Sequence, residues 1–482
     1  MNALHPIPTL RHEALRIAGE KVYRDDVIEV TYPYTGEVIA TVSKATRDDV
    51  RRAYRIARDY RPTLTRYERY QILMRAGEII ASRLEEISRT ITMESGLCRK
   101  DSLYEVGRAS DVLLFAANQA LVDDGQVFSC DLTHHGKRRK VYTLREPLLG
   151  VITAITPFNH PLNQVAHKLG PAIAAGTPII LKPSEKTPLT AIRFAELLYR
   201  NGLPGPMLSV LLGPTQEVAE PLVRDERVGL VSFTGSVSVG KLLASTAGYK
   251  KLVLELGGND PLIVLEDADL EQAVHLACEG AFRNSGQRCT AVKRIMVHRS
   301  ILEPFTRAMV ERAKTYTCGD PCSLETRVGT VIDEASAQHL ETTIQKAVAG
   351  GAKILLGGQR KGAMLEPTVL SEVPRDAEMV CSESFGPLAP IMAIEDIDDA
   401  IALANATPYG LSSGVVTKHL PHALKAVRKL RCGTVNINEV PGYRIECSPF
   451  GGIKDSGLGI KEGVIEAIKC MTTVKTFSLP WD

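Results

Sequence analysis

No stretch of this sequence is long and apolar enough to span a membrane. The longest weakly polar run, residues 169–181, falls short of the ~20 apolar residues a span needs, and it contains glycine and proline. An excess of charge is lacking too: 58 lysines and arginines face 56 aspartates and glutamates, a net charge of +2 that argues for no particular polyanionic partner. The opening Met-Asn-Ala-Leu-His-Pro lacks the charged-then-apolar layout of a signal peptide. The ten cysteines are scattered. Their closest pair, Cys318 and Cys322, is followed by no second Cys or His pair at zinc-site spacing, so neither a disulfide framework nor a metal is expected. These absences read as a soluble, cytoplasmic protein with free thiols. Two nucleotide fingerprints are also missing. No G-x-G-x-x-G is present, and the glycine-rich Pro449-Phe-Gly-Gly-Ile-Lys-Asp-Ser-Gly457 fails the G-x-x-x-x-G-K-[ST] spacing, which rules out a nucleoside-triphosphate loop.

What is present is an α/β rhythm long enough, at 482 residues, for two or three domains. Short strands are expected at 27–30 and 38–42, and helical spacing runs from 47 to about 121, with a helix at 103–120. Residues 127–144 alternate around a basic centre, His134-His-Gly-Lys-Arg-Arg-Lys140. That run reads as the solvated tip of a β-hairpin, with nucleic acid not expected. From 148 to 266, apolar strands at 148–155, 178–181, 208–212, 228–233 and 252–256 alternate with helical segments, the pattern of a doubly wound parallel sheet. The second half repeats it more loosely, with strands at 295–297, 353–356, 390–394, 412–416 and 434–437. Two doubly wound lobes are the simplest account.

Such a sheet binds its ligand at the carboxyl ends of its strands, and polar turns cluster there: Thr156-Pro-Phe-Asn159, Lys182-Pro-Ser-Glu185, Thr234-Gly-Ser236 and Gly257-Gly-Asn259. Lys182 and Glu185 suit ribose hydroxyls, and a carboxylate there repels a 2′-phosphate, favouring NAD over NADP. The turn at Gly235 opens a helix whose N–H groups can face a pyrophosphate. Cys289, in Asn284-Ser-Gly-Gln-Arg-Cys-Thr290, follows an arginine that can help hold a thiolate. Glu255 is an acid inside an apolar strand, read either as a salt-bridged glutamate or as a general base of raised pKa. Asn159 can donate to an oxyanion or cap a helix.

Taken in order with Glu-Ser-Phe-Gly-Pro387 and Pro449–Gly457, these motifs resemble the aldehyde dehydrogenase superfamily along nearly the whole chain. The resemblance implies a dinucleotide-binding domain (1–126 and 147–256), a catalytic domain (257–445) and an oligomerisation segment (127–146 and 468–482) that builds homodimers or homotetramers. It implies that Cys289 attacks the aldehyde, that the Cys289 N–H and Asn159 hold the oxyanion, and that Glu255 activates the water that hydrolyses a thioester. NAD would be held by Thr156, Phe158, Lys182, Ser184, Glu185, Gly235, Ser236, Gly257, Glu383 and Phe385.

Arg108, His160, Arg288, Thr290 and Arg444 bear on the substrate. Arginine offers a planar fork for carboxylate or phosphate oxygens, so convergence of the three arginines implies an anionic aldehyde. Arg108 and Arg444 as solvated surface charges are the alternative. Gly-Gln-Arg-Cys-Thr-Ala-Val-Lys-Arg294 resembles the branch that takes lactaldehyde, glyceraldehyde 3-phosphate without phosphorylation, and phosphonoacetaldehyde. NAD-dependent oxidation of phosphonoacetaldehyde to phosphonoacetate is the expectation, with the other two substrates and succinic semialdehyde as alternatives. A CoA-acylating enzyme would have no use for Glu255, and a catalytically silent protein of this fold would be expected to lack the cysteine, glutamate or asparagine.

Overall fold

The computed structural model describes residues 11–460 and 462–481. The opening hexapeptide read for a leader lies outside the described residues. Among the described residues no helix is long and apolar enough to cross a membrane.

Two seven-stranded sheets dominate. In the first, Lys251–Glu255, Val228–Thr234, Val151–Ile155, Ile179–Lys182 and Leu208–Val210 lie side by side and parallel. Their largely apolar character follows from burial on both faces by helices. This sheet is extended at the Leu208–Val210 edge by an antiparallel pair, Leu15–Ile17 and Glu20–Val22. The sequence reading missed that pair because three-residue strands leave almost no period to detect.

The second sheet runs Lys353–Leu356, Thr368–Ser371, Leu388–Ile394, Val292–His298, Asp260–Val264, Ser412–Val416 and Thr434–Ile437, with only the first strand antiparallel to its neighbour. Alternation along its strands divides the core in two. Leu262 and Val264 pack on one face with Phe282 and Phe305, while Ile263 between them packs on the other with Leu340 and Val415. Asp260–Val264, central to this sheet, was also missed, because it begins Asp-Pro and so resembles a turn.

The helix expected at 103–120 is longer, Arg99–Ala120, and packs against Arg66–Ser82 and Asn163–Ala175 in the core of the first lobe. Capping boxes at Thr46/Asp49 and Thr65/Glu68 start two of the three helices before it, Arg47–Asp59 and Arg66–Ser82. After the second sheet the chain returns to the first lobe, where Val464 and Met471 join that core. The expected basic hairpin is present as Val127–Ser129 and Arg139–Pro147, and Thr472–Pro480 adds a third antiparallel strand along its full length.

Candidate active site

The helix Leu270–Phe282 delivers the chain to a tight reversal at Asn284, Ser285 and Gly286, three successive residues with φ of 59°, 51° and 67°. Left-handed backbone is unfavourable for the first two, so outside contacts must hold it. The Asn284 N–H donates to the Asp101 carboxylate at 2.7 Å, and the Asn284 side chain donates to the Asn159 carbonyl at 3.1 Å. Gly286 has no alternative, because a Cβ there would overlap the Gly386 carbonyl. Asn159 donates one amide hydrogen to the Gln287 carbonyl at 2.8 Å, and the NH₂ carries a second. The reversal presents Cys289, half-buried, two residues beyond Gln287.

Burial pushes the Cys289 thiol up to about 11; Lys293 and Arg444 pull the other way, and Glu383 and Asp260 add to the rise. Arg288, expected to help hold the thiolate, instead caps a helix: its terminal nitrogen donates to the carbonyls of Glu279 and Gly280 at 3.1 and 2.6 Å. The cation is favourable at that helix C-terminus. Sequence adjacency says nothing of side-chain direction.

A cavity of about 180 Å³ opens on the sulfur, lined by Arg108, His160, Arg288, Cys289, Thr290 and Arg444 among others. All five substrate candidates therefore meet the nucleophile, and Arg108 and Arg444 are not solvated surface charges. Arg108 is held by Glu446 through its Nε, and the same carboxylate pairs with His167 Nε2 at 2.6 Å. Arg444 stacks on Phe450, 3.7 Å from guanidinium carbon to ring centroid, and among the described residues it has no acidic partner within ion-pair distance. The Arg288 Nε is buried and has no hydrogen-bond partner among the described residues. Burial, and then Arg108, Arg288, Arg283 and Arg444, hold the His160 imidazole well below its ordinary range, so it is neutral. A small anion entering this space would meet the guanidinium groups of Arg108, Arg283, Arg288 and Arg444, which outnumber the two lining carboxylates, Asp101 and Glu439.

Several lining residues escaped the sequence reading. Asp101, Tyr104 and Arg108 share one face of their helix, and stepping back from Arg108 in threes and fours would have found them. Glu446 lies 338 residues from Arg108 and gave no such signal.

Glu255 ends its strand buried but does not line the cavity. Its carboxylate rests against Gly451, where a Cβ would stand 2.5 Å from Oε1. The neighbouring Phe450 does line the cavity. Glu255 thus lies behind the loop whose other side forms the cavity wall.

The cofactor candidates sit where the parallel strands end. Thr156 and Phe158 follow Val151–Ile155, and Lys182 closes the next strand with its ammonium 3.1 Å from Glu185. Ser184 accepts the Lys186 N–H at 3.2 Å. Gly235 and Ser236 follow Val228–Thr234, and Ser236 caps the helix Val237–Ala247. A Cβ on Gly257 would displace the Glu383 carboxylate that rests against it. Phe385 meets Phe158 edge-on, centroids 5.9 Å apart. The Thr156 and Thr234 hydroxyls are buried at these strand ends without hydrogen-bond partners. Such groups at the carboxyl ends of parallel strands suit a polar ligand.

The sequence profile described as the aldehyde dehydrogenase family matches residues 21–477. A 3-sulfolactaldehyde dehydrogenase of Priestia aryabhattai is 39% identical over 464 residues, covering 96% of this chain and 97% of that protein. Among solved structures, aldehyde dehydrogenase 21 of Physcomitrella patens, in complex with the reaction product succinate, superposes with a TM-score of 0.95 at 35% identity, covering 98% of this chain and 99% of that one. Glyceraldehyde-3-phosphate dehydrogenase GapN of Methanocaldococcus jannaschii, complexed with NADP, gives 0.91 at 36% identity, covering 95% and 100%.

Proposed function

The chain belongs to the aldehyde dehydrogenase family, and from that premise we propose that it oxidises a small anionic aldehyde with NAD, phosphonoacetaldehyde to phosphonoacetate being the reaction its cavity suits best. It is an oxidoreductase acting on aldehydes. The observation that carries the substrate reading is the meeting of Arg108, Arg288 and Arg444 with Cys289 in one small cavity. A phosphonate offers three oxygens to planar forks. A second reading, a sulfonated aldehyde, is favoured by the 39% identical relative named for 3-sulfolactaldehyde, since a sulfonate presents similar oxygens.

In this reading Cys289 gives its proton to solvent and the sulfur adds to the carbonyl carbon. The oxyanion of the resulting thiohemiacetal takes the Cys289 N–H and the second amide hydrogen of Asn159. Bound NAD would supply the hydride acceptor that converts this adduct to a thioester. Glu255 turns from Gly451 toward the acyl carbon and takes a proton from water. The hydroxide adds, the C–S bond breaks, and the carboxylate leaves with the Cys289 thiol restored. Thr156, Phe158, Lys182, Ser184, Glu185, Gly235, Ser236 and Gly257 would hold the cofactor, with Glu383 and Phe385 at its nicotinamide end. NAD is preferred because Glu185 faces the ribose side and Lys186 is occupied by Asp333 at 3.0 Å. Phe128 and Phe477 on the sheet formed by Val127–Ser129, Arg139–Pro147 and Thr472–Pro480, and Leu132 and Trp481 beside it, are exposed, which supports a homodimer or homotetramer.

The test is NADH formation from phosphonoacetaldehyde, 3-sulfolactaldehyde, glyceraldehyde 3-phosphate, succinic semialdehyde, lactaldehyde and acetaldehyde, with and without CoA. The phosphonate should give the highest kcat/KM and no acyl-CoA. Faster turnover of the uncharged aldehydes would sink the anion-site argument.

A further inference from the structure

One strongly placed charge has no part in the reaction as drawn so far. Lys293, in the strand Val292–His298, is 1% exposed. Its ammonium donates to the carbonyls of Gly258 at 2.9 Å, Arg288 at 2.7 Å and Cys289 at 2.8 Å, and to the Glu383 carboxylate at 3.1 Å. Glu383 in turn accepts the Gly258 N–H at 3.2 Å. A lysine is rarely buried without compensation for its lost hydration. Here four acceptors provide it, and they come from three parts of the site: the nucleophile loop, the turn that follows Glu255, and the cofactor-facing loop.

We propose that Lys293 is a positioning residue, its ammonium clamping the Cys289 loop to Glu383 and keeping a fixed positive charge beside the nucleophile. The clamp acts through backbone carbonyls, so it sets where the sulfur stands without touching substrate. The charge acts on the sulfur itself. The other charged groups facing Cys289 are Glu383 and Asp260, which oppose the thiolate, and Arg444, which favours it; Asp101, Arg108, Arg283, Arg288, Glu439 and neutral His160 line the same cavity. Of these, Lys293 is the strongest influence toward the thiolate.

The inference rests on Cys289 being the nucleophile, and its test needs no turnover. The full-length protein is treated with iodoacetamide at several alkaline pH values, and the Cys289 peptide is followed by mass spectrometry, with Cys289→Ser as the control. A neighbouring charge is worth about one to three pH units. Lys293→Met should therefore slow Cys289 alkylation roughly tenfold or more at a fixed pH below the midpoint, and Glu383→Gln should speed it. Opposite signs are what the fixed charge requires, because simple loosening of the loop would move both variants the same way. Alkylation of Lys293→Met at the wild-type rate, or movement of both variants in one direction, overturns the proposal. If Lys293→Met does not fold, Glu383→Gln decides alone, and an unchanged or slower rate overturns it. Inactivity toward every aldehyde would remove the proposed reaction and leave the alkylation contrast standing.

Discussion

Glu446 grips Arg108 by the Nε, leaving the terminal nitrogens of the guanidinium for the cavity, while its other oxygen pairs with His167 at 2.6 Å. The loop that carries Arg444 is thereby fastened to two helices of the first lobe, Arg99–Ala120 and Asn163–Ala175. An acid here also offsets the repulsion between Arg108 and Arg444, which share the cavity.

Removing that acid strands a cation. Glu446→Ala should cost about 3–5 kcal/mol of stability near neutral pH, as breaking buried pairs does, measurable by urea denaturation. Burial works against the Glu446 carboxylate, but His167, Arg108 and Arg444 outweigh it and hold the group well below the usual carboxylate range. A depressed folded-state pKa gives stability that is fully present above the unfolded value of about 4.3 and is lost as pH falls below it. The gap between wild type and variant should therefore be wide at pH 7 and narrow in acid. A gap independent of pH would contradict the pairing.

Arg444 makes a cleaner probe of substrate charge, because its stacking on Phe450 ties up no acid. Arg444→Ala should lower kcat/KM for the anionic aldehyde by about 10- to 100-fold, the worth of a charge-assisted hydrogen bond at roughly 1.5–3 kcal/mol. The value for acetaldehyde should barely change. Equal losses on both substrates would mean that the residue shapes the loop and does not read charge.

The reversal before Cys289 separates backbone demand from chemistry. Ser285 has φ 51° and a buried hydroxyl without a hydrogen-bond partner, so Ser285→Gly removes strain and an unsatisfied group together. It should raise stability by about 0.5–1 kcal/mol and leave kcat nearly intact. Gly286→Ala should do the reverse, because its Cβ would overlap the Gly386 carbonyl. Thermal melts of both variants decide the matter, and a destabilised Ser285→Gly would be the unexpected result.

How much of this was legible in the sequence follows from locality. The parallel strands were visible because strands buried on both faces read as unbroken apolar runs, while Asp260–Val264 was hidden behind Asp-Pro. His160, Arg288, Thr290 and Arg444 stand beside recognisable motifs, Arg108 is pointed to only by the family resemblance, and the structure places all five together. The direction of Arg288 was not legible, since only the fold puts the carbonyls of Glu279 and Gly280 within its reach. Glu446 and Lys293 matter through partners brought close by tertiary packing, and no spacing rule announces such a pairing.

Cofactor choice turns on Lys182 and Glu185. Their side chains pair at 3.1 Å, with Lys182 largely buried and Glu185 more open. A carboxylate at that place accepts ribose hydroxyls and repels a 2′-phosphate. Glu185→Ala removes the repulsion and frees the Lys182 ammonium, so affinity for NADP should rise while affinity for NAD falls. Pairs of this exposure contribute only about 0–1 kcal/mol to folding, so stability should hardly move. Titration of both dinucleotides against wild type and variant is the measurement. Near-equal ratios in the two proteins would mean that another group, with Lys186 the first to examine once released from Asp333, reads the phosphate.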